Sequence, residues 1–400
     1  MNNIRKLTDS LFWVGVNDRR IALFENVYPV PTGMSYNSYI LLDEKTALFD
    51  TVDASFTQDF LENVTAALNG RTLDYLIVNH MEPDHCASIT DVIAAYPEAK
   101  IVCTAKAVGM MKQFFDFDVD SRAIPVKEGD ILSLGSHELT FVMAPMVHWP
   151  EVMVTYEKTE KILFSADAFG SFGAIDGNIF ADEIDDKGAW LSEARRYYTN
   201  IVGKFGMSVL GLLKKAAGLE IRMICPLHSV IWREDLPWLI NRYLKWSSYT
   251  PEEKSVTIAY GSVYGHTEKA ADILAGKLAD RGIRHISVFD VSRTHPSYII
   301  ADAFRTSAMV FASITYNGGI FCNMDTLLHQ LAAHGLTNRT AALIQNGTWA
   351  ATASKQMGEI LGTMRNIHVL EADVTIKSAL KNDQEAELDA LADAIAASLQ

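Results

Sequence analysis

Six consecutive residues, His80-Met-Glu-Pro-Asp-His85, carry four side chains able to ligate a metal. They follow the apolar run Tyr75-Leu-Ile-Val, so they leave the carboxyl end of a buried strand, where α/β sheets place their sites. Pro83 is expected to break any helix there and let several ligands turn inward together. Three isolated candidates share this placing: His148 after residues 141–147, Asp167 after 162–166 and His228 after 223–227. Taken singly, each is more often a core residue, a cap or a turn former. Beside the cluster, all seven read as one metal centre: His80, Glu82, Asp84, His85, His148, Asp167 and His228.

A second constellation begins after the strand-like Val256-Thr-Ile-Ala-Tyr. Gly261-Ser-Val-Tyr-Gly-His-Thr267 leads into a helix starting near Glu268. Small and hydroxyl residues at such a turn offer N–H groups and hydroxyls to a phosphate, and the helix dipole favours the negative charge. No lysine follows in the Walker manner, which disfavours a nucleoside triphosphate. Two later loops, Ser313-Ile-Thr-Tyr-Asn-Gly-Gly319 and Gln345-Asn-Gly-Thr-Trp-Ala350, bring Tyr316 and Trp349, whose faces could stack on a flat ring.

The elements that must position these residues fall into two parts. Strand-like runs at 39–42, 46–49, 75–78, 100–103, 140–144, 161–165 and 222–226 alternate irregularly with helical stretches at 55–68, 105–114 and 187–219. That pattern predicts sheets covered by helices. The polar segment 245–254, with its proline, places a boundary near residue 250. Beyond it, strands at 256–260, 285–289, 308–312, 341–344 and 367–370 alternate with helices, ending in an amphipathic helix over 383–399. This predicts a doubly wound, five-stranded parallel sheet.

Composition narrows the function. A formal net charge of −14, with Lys and Arg scattered, argues against nucleic acid. No apolar run is long enough to span a bilayer and no leader is evident, so a cytoplasmic protein is expected. Cys86, Cys103, Cys225 and Cys322 form no C-x-x-C pair, which excludes a rubredoxin-type iron site or zinc ribbon in this sequence.

The set His80-x-Glu82-x-Asp84-His85 with His148, Asp167 and His228 resembles the metallo-β-lactamase fold in its flavodiiron form. Zinc hydrolases of that fold have His at the place of Glu82. A carboxylate there is a harder, negative ligand that favours iron. Glu82, Asp84 and Asp167 then set three negative charges against the four of two ferrous ions. The turn at 262–267 likewise resembles the flavodoxin pattern S/T-x-Y-G-x-T. The resemblance covers nearly the whole chain. It implies an N-terminal αββα metallo-β-lactamase-like sandwich over residues 1–250 and a flavodoxin-like domain over 251–400.

The resemblance also implies two irons per chain and one FMN. His80, Glu82 and His148 would hold one iron and Asp84, His85 and His228 the other, with Asp167 bridging. Relatives differ in whether the histidine at His85 reaches the metal. The FMN contacts would come from Ser262, Val263, Tyr264, Gly265, His266 and Thr267, from Thr315, Tyr316, Asn317, Gly318 and Gly319, and from Asn346, Gly347, Thr348 and Trp349. Relatives often carry Gly where Thr348 and Ala350 stand. The segment Arg195-Arg-Tyr-Tyr-Thr199 resembles one near the irons, offering Tyr197 or Tyr198 as a hydrogen-bond donor or an ordinary core pair.

The activity implied is reduction of dioxygen to water, nitric oxide to nitrous oxide, or both. A head-to-tail homodimer or dimer of dimers is expected, with a separate electron donor such as rubredoxin or a reduced deazaflavin. Two alternatives belong to other classes. One is a zinc hydrolase with an attached flavodoxin domain, which metal analysis would reveal. The other is a pure electron-transfer flavoprotein, which would keep its activity after Asp167→Ala.

Overall fold

A computed structural model describes all of residues 1–400. The chain divides into two compact units, one of residues 1–198 and 207–244, the other of 199–206 and 245–400.

In the first unit a seven-stranded mixed sheet faces a five-stranded one. The larger sheet runs antiparallel from Arg5–Lys6 through Leu11–Trp13, Tyr39–Leu42 and Thr46–Phe49, then parallel through Tyr75–Ile77, Lys100–Thr104 and Ala123–Val126. The smaller joins Ile131–Ser133, Glu138–Met143, Met153–Glu157, Ile162–Phe164 and Met223–Cys225, the last pair parallel. Apolar residues from both sheets form one core between them. Phe49 of one and Phe164 of the other stack with ring centroids 3.7 Å apart. Burying a side chain of this size contributes roughly 1.5–3 kcal/mol. Helices Thr57–Leu68 and Ala105–Phe114 pack on the larger sheet, in keeping with the αββα sandwich expected from the sequence.

The stretch expected to be helical over 187–219 is interrupted. An α-helix over Lys187–Tyr197 loosens into a π turn at Tyr198–Val202 and a 3-10 turn before Gly206–Ala216 resumes. Pro83 does not abolish helix. It opens a single turn, Pro83–Cys86, because the first helical position needs no amide donor and suits proline's fixed φ.

The second unit is a parallel sheet ordered Ile286–Asp290, Glu253–Gly261, Thr306–Tyr316, Arg339–Asn346 and Ile367–Ile376, with Gly319–Ile320 folded back antiparallel. The order 2-1-3-4-5 is that of flavodoxin-like folds. Separate apolar cores form among the sheet strands and helices, one led by Phe304, Leu327 and Met357, the other by Leu274, Leu391 and Ile395. No helix of the structure is long and apolar enough to cross a membrane.

Candidate functional site

The metal candidates are positioned by strand ends. Asp50, just past Thr46–Phe49, accepts from the Asn79 and His80 amides at 2.7 and 3.1 Å and from Asn79 Nδ2 at 2.8 Å. This pins the start of the ligand loop. Burial, partly offset by these bonds, pushes the Asp50 carboxyl up to about 6. Thr51 holds the other end, donating amide and hydroxyl to the His85 carbonyl at 2.8 Å each.

All seven residues converge and are buried. They form two groups whose ligand atoms lie within 4.8 Å of one another: His80, Glu82, His148 and Asp167, and Asp84, His85 and His228. Glu82 Oε2 lies 3.3 Å from His80 Nε2 and 3.0 Å from His148 Nε2. Asp84 Oδ2 lies 3.3 Å from both His85 and His228 Nε2. Asp167 serves both groups: Oδ2 faces His80 and His148 at 3.5 and 3.1 Å, and Oδ1 faces His85 at 3.2 Å. His85 therefore points inward with the others.

The electrostatics suit a cation. Both oxygens of Asp84 and of Asp167 are buried without a well-formed hydrogen bond, a costly state unless a positive ion is coordinated. Burial would lower His148, but Asp167 and Glu82 outweigh it and raise it to about 9. Burial would likewise raise Glu82, yet His148 and His80 hold it well below the ordinary carboxylate range. Imidazoles and carboxylates at this density are the donor set of a two-metal site.

Two neighbours, Glu151 and Glu25, escaped the sequence reading, which leaves the choice between Tyr197 and Tyr198 open. Glu151 is buried and takes His80 Nδ1 and the Met81 amide on Oε1, at 2.8 Å each. Tyr197, rather than Tyr198, turns toward the site. Its buried hydroxyl has no partner, and burial with the charges of Asp167, Glu82 and Asp84 holds it well above its usual pKa. Tyr198 packs on Tyr243, centroids 5.1 Å apart. Glu25 sits in a tight hairpin between Leu23–Phe24 and Tyr28–Pro29, with φ 50° there and 57° at Asn26. Desolvation first, and then the hydrogen bond and charge of Glu82, push its carboxyl up to about 8.

In the second unit a cleft of about 370 Å³ is lined by Ser262, Val263, Tyr264, His266 and Thr267, by Thr315, Tyr316, Asn317 and Gly318, and by Asn346, Gly347, Thr348 and Trp349. Gly265 and Gly319, expected as contacts, are not among its lining residues. Gly265 caps the helix His266–Asp280 at φ +88°, a left-handed conformation that favours glycine. Ile314, Ala350 and Ser378 also line the cleft, unforeseen from sequence. Asn346 donates to the Ser378 carbonyl and accepts from its amide, at 3.0 and 3.2 Å, bracing two loops. Hydroxyls and a helix start at one end with exposed aromatics at the other fit a phosphorylated flat ring.

Comparison with known proteins agrees with this geometry. Residues 34–229 match the family described as ODP family beta lactamase. The structure superposes on rubredoxin oxygen:oxidoreductase from Desulfovibrio gigas with TM-score 0.92 and 28% identity, covering 99% of this chain and 98% of that one. It superposes on the flavodiiron protein of Giardia intestinalis with TM-score 0.93 and 26% identity, covering 100% and 98%. An anaerobic nitric oxide reductase flavorubredoxin of Escherichia coli is 30% identical over 388 residues, which is 94% of this chain and 78% of the relative. The chain belongs to the flavodiiron protein family. As a flavodiiron protein it is an oxidoreductase, and its two-unit architecture is that of the family throughout.

Proposed function

We propose that this flavodiiron protein reduces dioxygen to water, nitric oxide to nitrous oxide, or both, at two irons held by residues 1–250, with FMN held by residues 251–400. The observation that carries the reading is Asp167, whose two oxygens face separate histidine–carboxylate groups. The flavin-type cleft in the same chain supports it. The relatives' names divide between the gases, one a nitric oxide reductase and one an oxygen oxidoreductase.

In this reading His80, Glu82 and His148 hold one iron, Asp84, His85 and His228 the other, and Asp167 is shared. Bound there, the irons would supply open positions for the gas, and FMN would supply electrons singly or in pairs. Tyr197 keeps a hydroxyl proton at the wall of the site, available to a bound oxidant. Phe24, Tyr36 and Tyr197 pack around His228 with centroids 5.5, 6.0 and 5.5 Å away, excluding water from that side. Ser262, Thr267 and the start of His266–Asp280 would seat the phosphate, and Tyr316 and Trp349 would flank the ring.

Electrons would come from a carrier outside these 400 residues, such as rubredoxin or a reduced deazaflavin, because the four cysteines include no C-x-x-C pair. A head-to-tail homodimer, or a dimer of dimers, would bring one chain's flavin beside its partner's irons. A cytoplasmic setting accords with four free cysteines. The deciding experiment mixes anaerobically reduced protein once with each gas. The flavin is expected to reoxidise rapidly with at least one of them, in protein holding two irons per chain. Two zinc ions and no iron, in protein made with both available, would return the reading to hydrolysis.

A further inference from the structure

We propose that Glu151 is a positioning residue that fixes the orientation of His80 and makes the metal position of His80, Glu82 and His148 hold the more highly charged ion more tightly than the position of Asp84, His85 and His228. The inference rests on the two-metal reading above.

A ligating histidine has an outer nitrogen as well as an inner one, and the partner of the outer nitrogen sets the tautomer and donor strength of the ring. His80, His85 and His228 differ in that partner. His80 Nδ1 meets a carboxylate, Glu151 Oε1, at 2.8 Å. His228 Nδ1 meets a neutral acceptor, the Ser35 carbonyl, at 2.7 Å. His85 Nδ1 is buried with no hydrogen-bond partner. Only the first arrangement places an extra negative charge one imidazole width behind the metal position.

The Glu151 side chain is fully out of solvent. Its Oε1 also takes the Met81 amide at 2.8 Å, and its own carbonyl takes the Thr104 hydroxyl at 3.0 Å. Oε2 has no hydrogen-bond partner, so the hydrogen bonds of this carboxylate all fall on Oε1. Trp149 stands edge-on to His80, centroids 5.4 Å apart, walling this side. The segment His148–Glu151 thus supplies a ligand and, three residues later, the brace of a different ligand. At low local dielectric a carboxylate so close raises the donor strength of His80 and favours the higher oxidation state there.

Glu151→Gln separates charge from shape, because the amide oxygen can still accept from His80 and Met81. Potentiometry of the holoprotein followed by electron paramagnetic resonance reads two iron reduction steps. Wild type is expected to show two well-separated steps. In E151Q, with iron and FMN content unchanged, the gap should narrow by about tenfold in relative affinity for the two charge states, ~59 mV for one electron. Glu151→Ala, which loses orientation as well, should weaken metal binding by about 10–100-fold. An unchanged gap in iron-loaded E151Q would overturn the proposal and leave Glu151 as a loop cap. If E151Q loses its iron, the potentiometry is repeated on E151Q reloaded anaerobically with ferrous iron: a narrowed gap supports the proposal, and the wild-type gap overturns it. Wild type without iron would instead sink the two-iron reading itself, an outcome distinct from any behaviour of the variants.

Discussion

At the proposed metal centre His80, His85 and His228 are 0% exposed and Asp167 1%, whereas Tyr264 and Trp349 at the proposed flavin cleft are 91% and 94% exposed. The first site is made of charged side chains from distant strand ends and keeps four carboxylate oxygens, those of Asp84 and Asp167, buried without a well-formed hydrogen bond. The second is made of backbone turns, hydroxyls and loop aromatics that water can satisfy. Converging buried carboxylates cost folding free energy, so a metal held there would be a structural partner of its unit as well as a reactant.

The strongest challenge to this contrast is Asp167→Ala. Both metal groups lose the shared carboxylate, so iron content is expected to fall toward zero and gas turnover with it, while flavin absorbance per chain stays constant. Metal analysis beside the visible spectrum checks both halves. Next in size is chelation of the wild type. A ligand present at a thousand times its dissociation constant stabilises by about 4 kcal/mol, so metal removal should lower the melting transition of the first unit. Limited proteolysis with peptide mapping should find the second unit unaffected.

Two smaller tests address the cleft. Gly265→Ala forces a Cβ into left-handed backbone, at roughly 1–2 kcal/mol, and should weaken FMN binding by about tenfold with iron retained. Trp349→Ala removes a stacking face worth about 0.5–1.5 kcal/mol, a change of a few-fold in FMN affinity measured by flavin titration. An effect of either on iron content would break the independence of the two sites.

The seven converging residues were legible because four of them lie within six positions, and the local cluster lends meaning to His148, Asp167 and His228. The parallel sheet was legible because its strands are long and regularly spaced. Glu151 was not legible, because its partner His80 lies 71 positions away and an isolated glutamate carries no pattern. Tyr197 and Tyr198 are neighbours in the chain, and only the passage from α-helix into π turn decides which faces the ligands. Strands of two or three residues, such as Leu11–Trp13 and Met34–Tyr36, are too short to show alternation. Ser378 joins the cleft through Asn346, a contact that spacing does not encode.

A carboxylate that faces two positions at once also links their filling. The first ion to arrive must pin Asp167, and a pinned Asp167 is already aimed at the second position. Titration with less than a full complement of iron should then yield a mixture of doubly loaded and bare chains, with few carrying a single ion.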